Sequence, residues 1–212
     1  MNQEPMGRQV LGRDFFERSP DVVARELVGA IMVVRQGRAA VRVRIEETEA
    51  YGGFDDPASH AFRGPTKRAA IMFGEPGMLY VYQSYGVHWC MNVVTERVGT
   101  AGAVLIRAGE IEVGRSNELT TKYGSRELRG PGILTRELGI TGADNGIDCC
   151  QDSPGRIRFE RFVVTGACEV GVSPRVGISH GQERLSRYFR LGGRAVSKRS
   201  VGRRKNTTRL PE

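Results

Sequence analysis

The residues best suited to chemistry lie close together, between Val41 and Arg107. Two carboxylates, Glu47 and Glu49, end the run VRVRIEETEAY. Beyond Gly52-Gly53 come Asp55 and Asp56, the lone His60, the basic residues Arg63, Lys67 and Arg68, and then LYVYQSYGVHWCMN. A carboxylate can take a proton from water or stabilise developing positive charge. Basic side chains hold phosphates, and tyrosines stack on flat rings. The combination suits a site that handles a polyanion carrying flat rings. Two other chemistries stay open on the same residues. Glu47, Glu49, Asp55, Asp56 and His60 could gather a divalent cation, as in a metal-dependent nuclease. A non-catalytic RNA- or DNA-binding module would need only stacking tyrosines and basic charge. The four cysteines (Cys90, Cys149, Cys150, Cys168) lack zinc-site spacing, and no GxxxxGKS nucleotide loop occurs, so no metal and no cofactor is expected. The cysteines are expected to be small buried apolar residues.

These residues need elements to hold them. Val41, Val43 and Ile45 alternate with Arg42, Arg44 and Glu46, which predicts a strand with one apolar face. If the period holds, Glu47 and Glu49 continue that apolar face, where a carboxylate is costly unless paired or used. AIMVV at 30–34 predicts a buried strand, joined to Val41–Thr48 by a turn at Gly37. Ser19-Pro20-Asp21 predicts a helix start, with Gly29 at its far end. Residues 54–77 read as one long loop, with a single helical turn at 69–73. Leu79–Ser84 and His88–Thr95 predict a hairpin with Tyr85-Gly86 at its tip, where glycine can take positive φ. Ala103–Ala108, Ile157–Val164 and Ala167–Val172 read as strands, ILTRELG as a short helix, and Arg187–Val196 as a last extended run. A helix around Asn117–Tyr123 is also expected.

At 212 residues the chain suits one domain of 13–197, with a mobile leader at 1–12 and a basic tail at 198–212. It has 28 glycines, scattered as tight turns between short strands would scatter them. The net charge is +8, and its placement says more. From Arg175 onward 11 Arg or Lys face two acids, so the whole excess lies at the C-terminal end. That suggests a polyanionic partner. Neither an apolar run long enough to span a membrane nor a signal-peptide core occurs, so a cytoplasmic protein, nucleoid-associated if bacterial, is expected.

ETEAY at 47–51, SHAFRG at 59–64, MFGEPGMLYVYQSYGVHWCMNVV at 72–94 and VLIRA at 104–108 resemble the alkyladenine (3-methyladenine) DNA glycosylases. The likeness runs from about Leu11 to about Ser197. It implies a mixed α/β (α+β) single domain with a curved, mostly antiparallel sheet and short helices. It implies a monofunctional DNA repair glycosylase, a monomer acting on double-stranded DNA that contains damaged purines. By the same likeness Glu49 is the general base, Tyr51 and Tyr82 sandwich the flipped base, His60 contacts it, and Asn92 crowds the pocket. Arg107 lies near the flipped nucleotide, and Tyr85 is the intercalating wedge. Arg68 and Met72 are expected on the DNA-facing loop, with Lys198 and Arg199 of the tail on the backbone. His88 and His180 are expected to be structural. The chain departs from the family pattern at Pro65, Lys67, Ala69, Ile133, Thr135 and Ala195.

Overall fold

The computed structural model describes residues 8–37, 39–112, 127–151, 155–162 and 168–197. Its elements run β1 Arg8–Val10, α1 Arg13–Phe16, α2 Pro20–Leu27, β2 Ile31–Gln36, β3 Ala39–Tyr51, β4 Leu79–Ser84, β5 His88–Val94 and β6 Ala103–Ile111. After them come β7 Glu127–Leu128, α3 Pro131–Glu137, β8 Ile157–Phe162, β9 Val170–Ser173 and β10 Arg187–Arg190. The strands form one sheet with a spine β1-β8-β2-β3-β6-β5-β4, and each named pair is antiparallel. With three short helices this is an α+β domain. Among the described residues no helix is long and apolar enough to cross a membrane.

Period-2 alternation divides the β4-β5-β6 ribbon into two faces. Leu79, Val81, Met91, Val93, Val104 and Ile106 enter the main core with Phe16, Val23 and Leu27 of the helices. Tyr80, Val94 and Ala103 face the other way, into a smaller cluster with Ala61, Ala69 and Met72 of the long loop. Helix α2 begins where expected, with Pro20 at its first turn and Ser19 before it, although the Ser19 hydroxyl caps no amide. Gly29, at φ +89°, ends it where a β-carbon would be strained. Burying Val23 and Leu27 gives the helix about 1.5–3 kcal/mol for each side chain.

Strand β3 is the axis of the molecule. Its first half pairs with β2 on one edge, and its last part pairs with β10 on that same edge, so the sheet forks. The fork coincides with two register shifts against β6. Ile45 faces Gly109 but Glu47 faces Ala108, and Thr48 then faces Ile106. One extra residue on each strand, Glu46 and then Arg107, breaks the ladder. Each such bulge turns the following side chains to the opposite face. Val41, Val43, Ile45 and, after the shift, Ala50 belong to the main core. The expectation that Glu47 and Glu49 continue the apolar face is therefore corrected: the bulge moves both away from the core. Thr48 takes the core side instead and donates to the Ala24 carbonyl at 2.8 Å.

Several boundaries also move. Arg8–Val10 pairs with β8, so that part of the expected mobile leader is a strand. β6 runs on to Ile111, β9 starts at Val170, and β10 stops at Arg190. The expected helix at Asn117–Tyr123 and the tail with Lys198 and Arg199 lie outside the described residues. Cys90 and Cys149 are buried as expected, but Cys150 is half-buried and Cys168 exposed.

Candidate active site

A cavity of about 550 Å³ opens on the face of β4-β5-β6 that turns away from the main core. Alternation puts Tyr80 and Tyr82 of β4, Cys90 and Asn92 of β5, and Leu105 and Arg107 of β6 on its floor. Tyr51 at the end of β3, His60, Arg68 and Met72 of the long loop, and Val176 to His180 close the sides. Tyr85 stands at its rim.

Glu49 is 0 % exposed and sits directly behind this wall. Its Oε2 accepts from the Tyr51 hydroxyl at 2.8 Å and from Arg107 at 3.1 Å. Its Oε1 accepts from the Val176 amide at 2.7 Å. All three donors line the cavity, so the acid is one side chain removed from it. Burial raises the Glu49 carboxyl above the usual glutamate value, and the charge of Arg107, the amide and the phenol offset this only in part. Oε1 has one such donor, which leaves a lone pair able to take a proton.

Glu47, two residues earlier, is held differently. Its Oε1 accepts from Arg107 at 2.9 Å, Arg187 at 2.7 Å and the Ser197 hydroxyl at 2.9 Å, and its Oε2 from the Ser197 amide at 2.7 Å. Burial alone would raise it, but Arg187, Ser197 and Arg107 together bring it below the usual value. The two acids, indistinguishable as letters, thus differ in state. Glu47 is an anion held by four donors away from the cavity, and Glu49 is held by three beside it. Arg107 bridges them; burial would lower its basicity, but the two carboxylates more than restore it.

The rings are organised around His60. Its Nδ1 lies 2.9 Å from the Tyr80 hydroxyl, and its ring meets Tyr82 edge-on at 4.7 Å between centroids. The imidazole keeps an open edge, yet desolvation by its neighbours, helped by the Arg68 charge, pushes it down to about 4. It is neutral at pH 7. Asn92 is buried and donates to the Tyr80 carbonyl at 2.9 Å. Arg68 lies with its guanidinium 4.5 Å from the centre of the Tyr82 ring.

Tyr85 is 94 % exposed, with φ +50°. Gly86 follows at φ +68°, and the Val87 amide donates to the Ser84 carbonyl at 3.0 Å. Positive φ at both central positions is the sign pattern of a type I′ turn. A large aromatic residue there is strained and packs on nothing.

Eight of the sequence-derived residues, Tyr51, His60, Arg68, Met72, Tyr82, Tyr85, Asn92 and Arg107, line one cavity, with Glu49 against it. Met72 is 2 % exposed and forms part of the wall, so it is not a surface contact for a DNA backbone. His88 is exposed at the start of β5, and His180 lines the cavity rather than the structural interior. The five residues of the metal reading are engaged by other partners. Arginines hold Glu47, Glu49, Asp55 and Asp56, Tyr80 holds His60, and no metal-binding group of three occurs among the described residues. Sequence reasoning missed Tyr80, Arg175, Val176 and Arg187. Tyr80 was findable, because alternation in LYVY puts it beside Tyr82. Nothing local marks the others.

The methylpurine-DNA glycosylase family model matches residues 14–194. A protein of Frankia casuarinae is 53 % identical over 197 residues, covering 88 % of this chain and 91 % of its own. One of Rhodopseudomonas palustris is 44 % identical over 192 residues, covering 89 % and 90 %. One of Methanocella arvoryzae is 39 % identical over 202 residues, covering 91 % and 98 %. Each carries the name "Putative 3-methyladenine DNA glycosylase". A match of this extent, over a sealed acid beside a ring-lined cavity, leaves one conclusion: the chain belongs to the methylpurine-DNA glycosylase family.

Proposed function

We propose that this chain is a monofunctional DNA glycosylase of base-excision repair that flips damaged purines, 3-methyladenine and hypoxanthine among them, out of duplex DNA and hydrolyses the N-glycosidic bond, with Glu49 as general base. The observation that carries the reading is the contrast between Glu47, held by four donors away from the cavity, and Glu49, held by only three, all of which line the cavity, with a lone pair left on Oε1. A base in a duplex cannot reach such a cavity, so it must leave the stack. Tyr51 and Tyr82 offer stacking faces, neutral His60 and Asn92 offer polar contacts, and Tyr85 fills the gap left in the duplex. As the bond from C1′ to the base nitrogen breaks, the base leaves with the electron pair and positive charge builds on the sugar. The oxygen of water bonds to C1′, and Glu49 takes its proton. An intact sugar bearing a hydroxyl remains. No lysine is among the cavity-lining residues described, which supports water rather than an amine as nucleophile. The enzyme works as a monomer.

The test is incubation with duplexes containing 3-methyladenine, hypoxanthine or ethenoadenine, followed by alkali to cut abasic sites. Base release that survives excess chelator, with no borohydride-trapped adduct, is expected. Cleavage abolished by chelator restores the nuclease reading, and a trapped adduct removes the monofunctional mechanism.

A further inference from the structure

Arg175 is fully buried and does not line the cavity, yet it touches what does. Its guanidinium carbon lies 4.7 Å from the centre of the Tyr51 ring. Its two terminal nitrogens fork onto Asp56 at 2.6 and 2.7 Å, and one also donates to the Ala50 carbonyl at 2.9 Å. Asp56 in turn accepts from the Gly52 amide at 3.0 Å and the Ala58 amide at 3.2 Å. The pair therefore ties together the end of β3, the loop that leads to His60, and the segment after β9.

The next residue along that segment is Val176, whose amide donates to Glu49. A backbone amide cannot turn independently of its neighbours, so its aim depends on what anchors the residues beside it. Stability alone is a weak account of the anchor. A buried ion pair is often matched or bettered by apolar side chains of similar size, and the Arg175 Nε has no hydrogen-bond partner among the described residues. A planar fork held by a carboxylate does fix position well. Resting on the glycosylase reading above, we propose that Arg175 is a positioning residue: with Asp56 it backs the Tyr51 ring and holds the Val176 amide on Glu49, keeping that carboxylate ionised and ready to act as base.

The groups that face Glu49 are Arg107 of β6, Tyr51 and Glu47 of its own strand, Cys90 of β5, and Arg175 with the Val176 amide. Arg187 of β10 lies opposite Glu49 in the ladder but spends its side chain on Glu47. Of these, the clamp governs Tyr51 and the 175–176 segment. The amide and the phenol both favour the ionised carboxylate. Loosening the clamp weakens them, so Glu49 gains its proton at a higher pH, and the acidic limb of excision moves upward.

The experiment uses the full chain and a duplex holding one 7-methylguanine. Single-turnover excision is followed across pH for Arg175→Lys, which keeps the charge but loses the fork, and for Asp56→Asn. The combined change Arg175→Met with Asp56→Asn leaves no unpaired buried charge. Thermal unfolding confirms that each variant is folded. Arg184→Ala, which removes an exposed ion pair to Asp55 on the same loop, is the control and should keep the wild-type limb. The clamp variants should be about 10²-fold slower, the scale of a small misplacement, with the acidic limb shifted up in pH. A purely structural pair would change melting and leave the limb in place. A folded combined variant with the wild-type limb, and a rate within about tenfold of wild type, overturns the proposal. If that variant does not fold, Arg175→Lys decides on the same readout. If the wild-type chain releases no base from duplexes holding 7-methylguanine, 3-methyladenine, hypoxanthine or ethenoadenine, the glycosylase reading falls and takes this inference with it. Wild-type excision with unchanged clamp variants sinks the inference alone.

Discussion

At the scale of the residue, function turns on how two glutamates of one strand are treated. Glu49→Gln keeps volume and hydrogen-bonding shape but cannot take a proton. Loss of a general base alone costs roughly 10²–10⁴-fold. Single-turnover excision should fall at least that far while lesion-duplex binding persists, because the rings that would hold the base are unchanged. Glu47→Gln removes an anion that three side chains lean on, so it should lower stability and retain more excision than Glu49→Gln. A dead Glu47→Gln beside an active Glu49→Gln would mean the wrong carboxylate has been chosen. The pH profile gives a second check. The base form of Glu49 is the ionised one, and burial raises its proton affinity above the ordinary glutamate value of 4.5. Excision should thus fall as pH drops through a value higher than 4.5. His60, already neutral down to about 4, should add no limb near 6.5. A limb at that ordinary histidine value, abolished by His60→Gln, would contradict the neutral ring. The types of these residues were legible in the sequence. Their inequality was not, because it comes from Ser197, Arg187 and the Val176 amide, all more than 120 residues away, and a backbone amide has no letter of its own.

At the scale of the element, the β4-β5 hairpin was legible and the fork in β3 was not. The hairpin is two alternating runs around a Tyr-Gly pair, and alternation carries over directly to which face each side chain takes. A bulge needs no special residue type, so VRVRIEETEAY reads as one uninterrupted period although its ladder shifts after Ile45. That shift is what brings the acids out of the core, which makes it the most consequential feature the letters conceal. The hairpin tip supplies a stability test as well. Tyr85 sits at φ +50°, a conformation that disfavours a large side chain by about 1–2 kcal/mol and that asparagine tolerates. Tyr85→Asn should therefore raise stability by about 1 kcal/mol, seen as a higher denaturant midpoint with unchanged slope. The same change should weaken lesion-duplex binding by about 1–3 kcal/mol through lost stacking, and single-stranded substrate less. A stabilised variant with undiminished duplex binding would leave the strain at Tyr85 without a purpose. Equal losses on the two substrates would argue against a wedge.

At the scale of the whole molecule, the charge distribution has to be read again with partners in place. The sequence puts the entire positive excess after residue 174, which suggests one continuous polyanion-binding end. The fold divides it. Arg175, Arg184, Arg187 and Arg190 are committed to Asp56, Asp55, Glu47 and Glu46, and two of these pairs are fully buried. Arg175 and Arg187 build the site, and all four side chains already have a carboxylate partner. What composition could show was the sum of charge, and only contacts show which charges are already spent. The remaining basic residues of that end lie largely in the acid-free run from Lys198 to Arg209, which directly follows Ser197, a partner of Glu47. We expect that run to carry the non-specific grip on DNA. Ending the chain after Ser197 should preserve the fold, since the partners of Glu47 are all retained. It should weaken undamaged and damaged duplex alike, because phosphate contacts carry no sequence information. Each lost contact makes the dependence of log affinity on log salt shallower by about 0.9, so six basic residues set a ceiling of about 5 on the change. Titrations of both duplexes at several salt concentrations measure it. A slope equal to that of the full chain would show that the run does not meet DNA, and the grip would then have to come from exposed basic residues such as Arg63, Lys67 and Arg68 of the long loop.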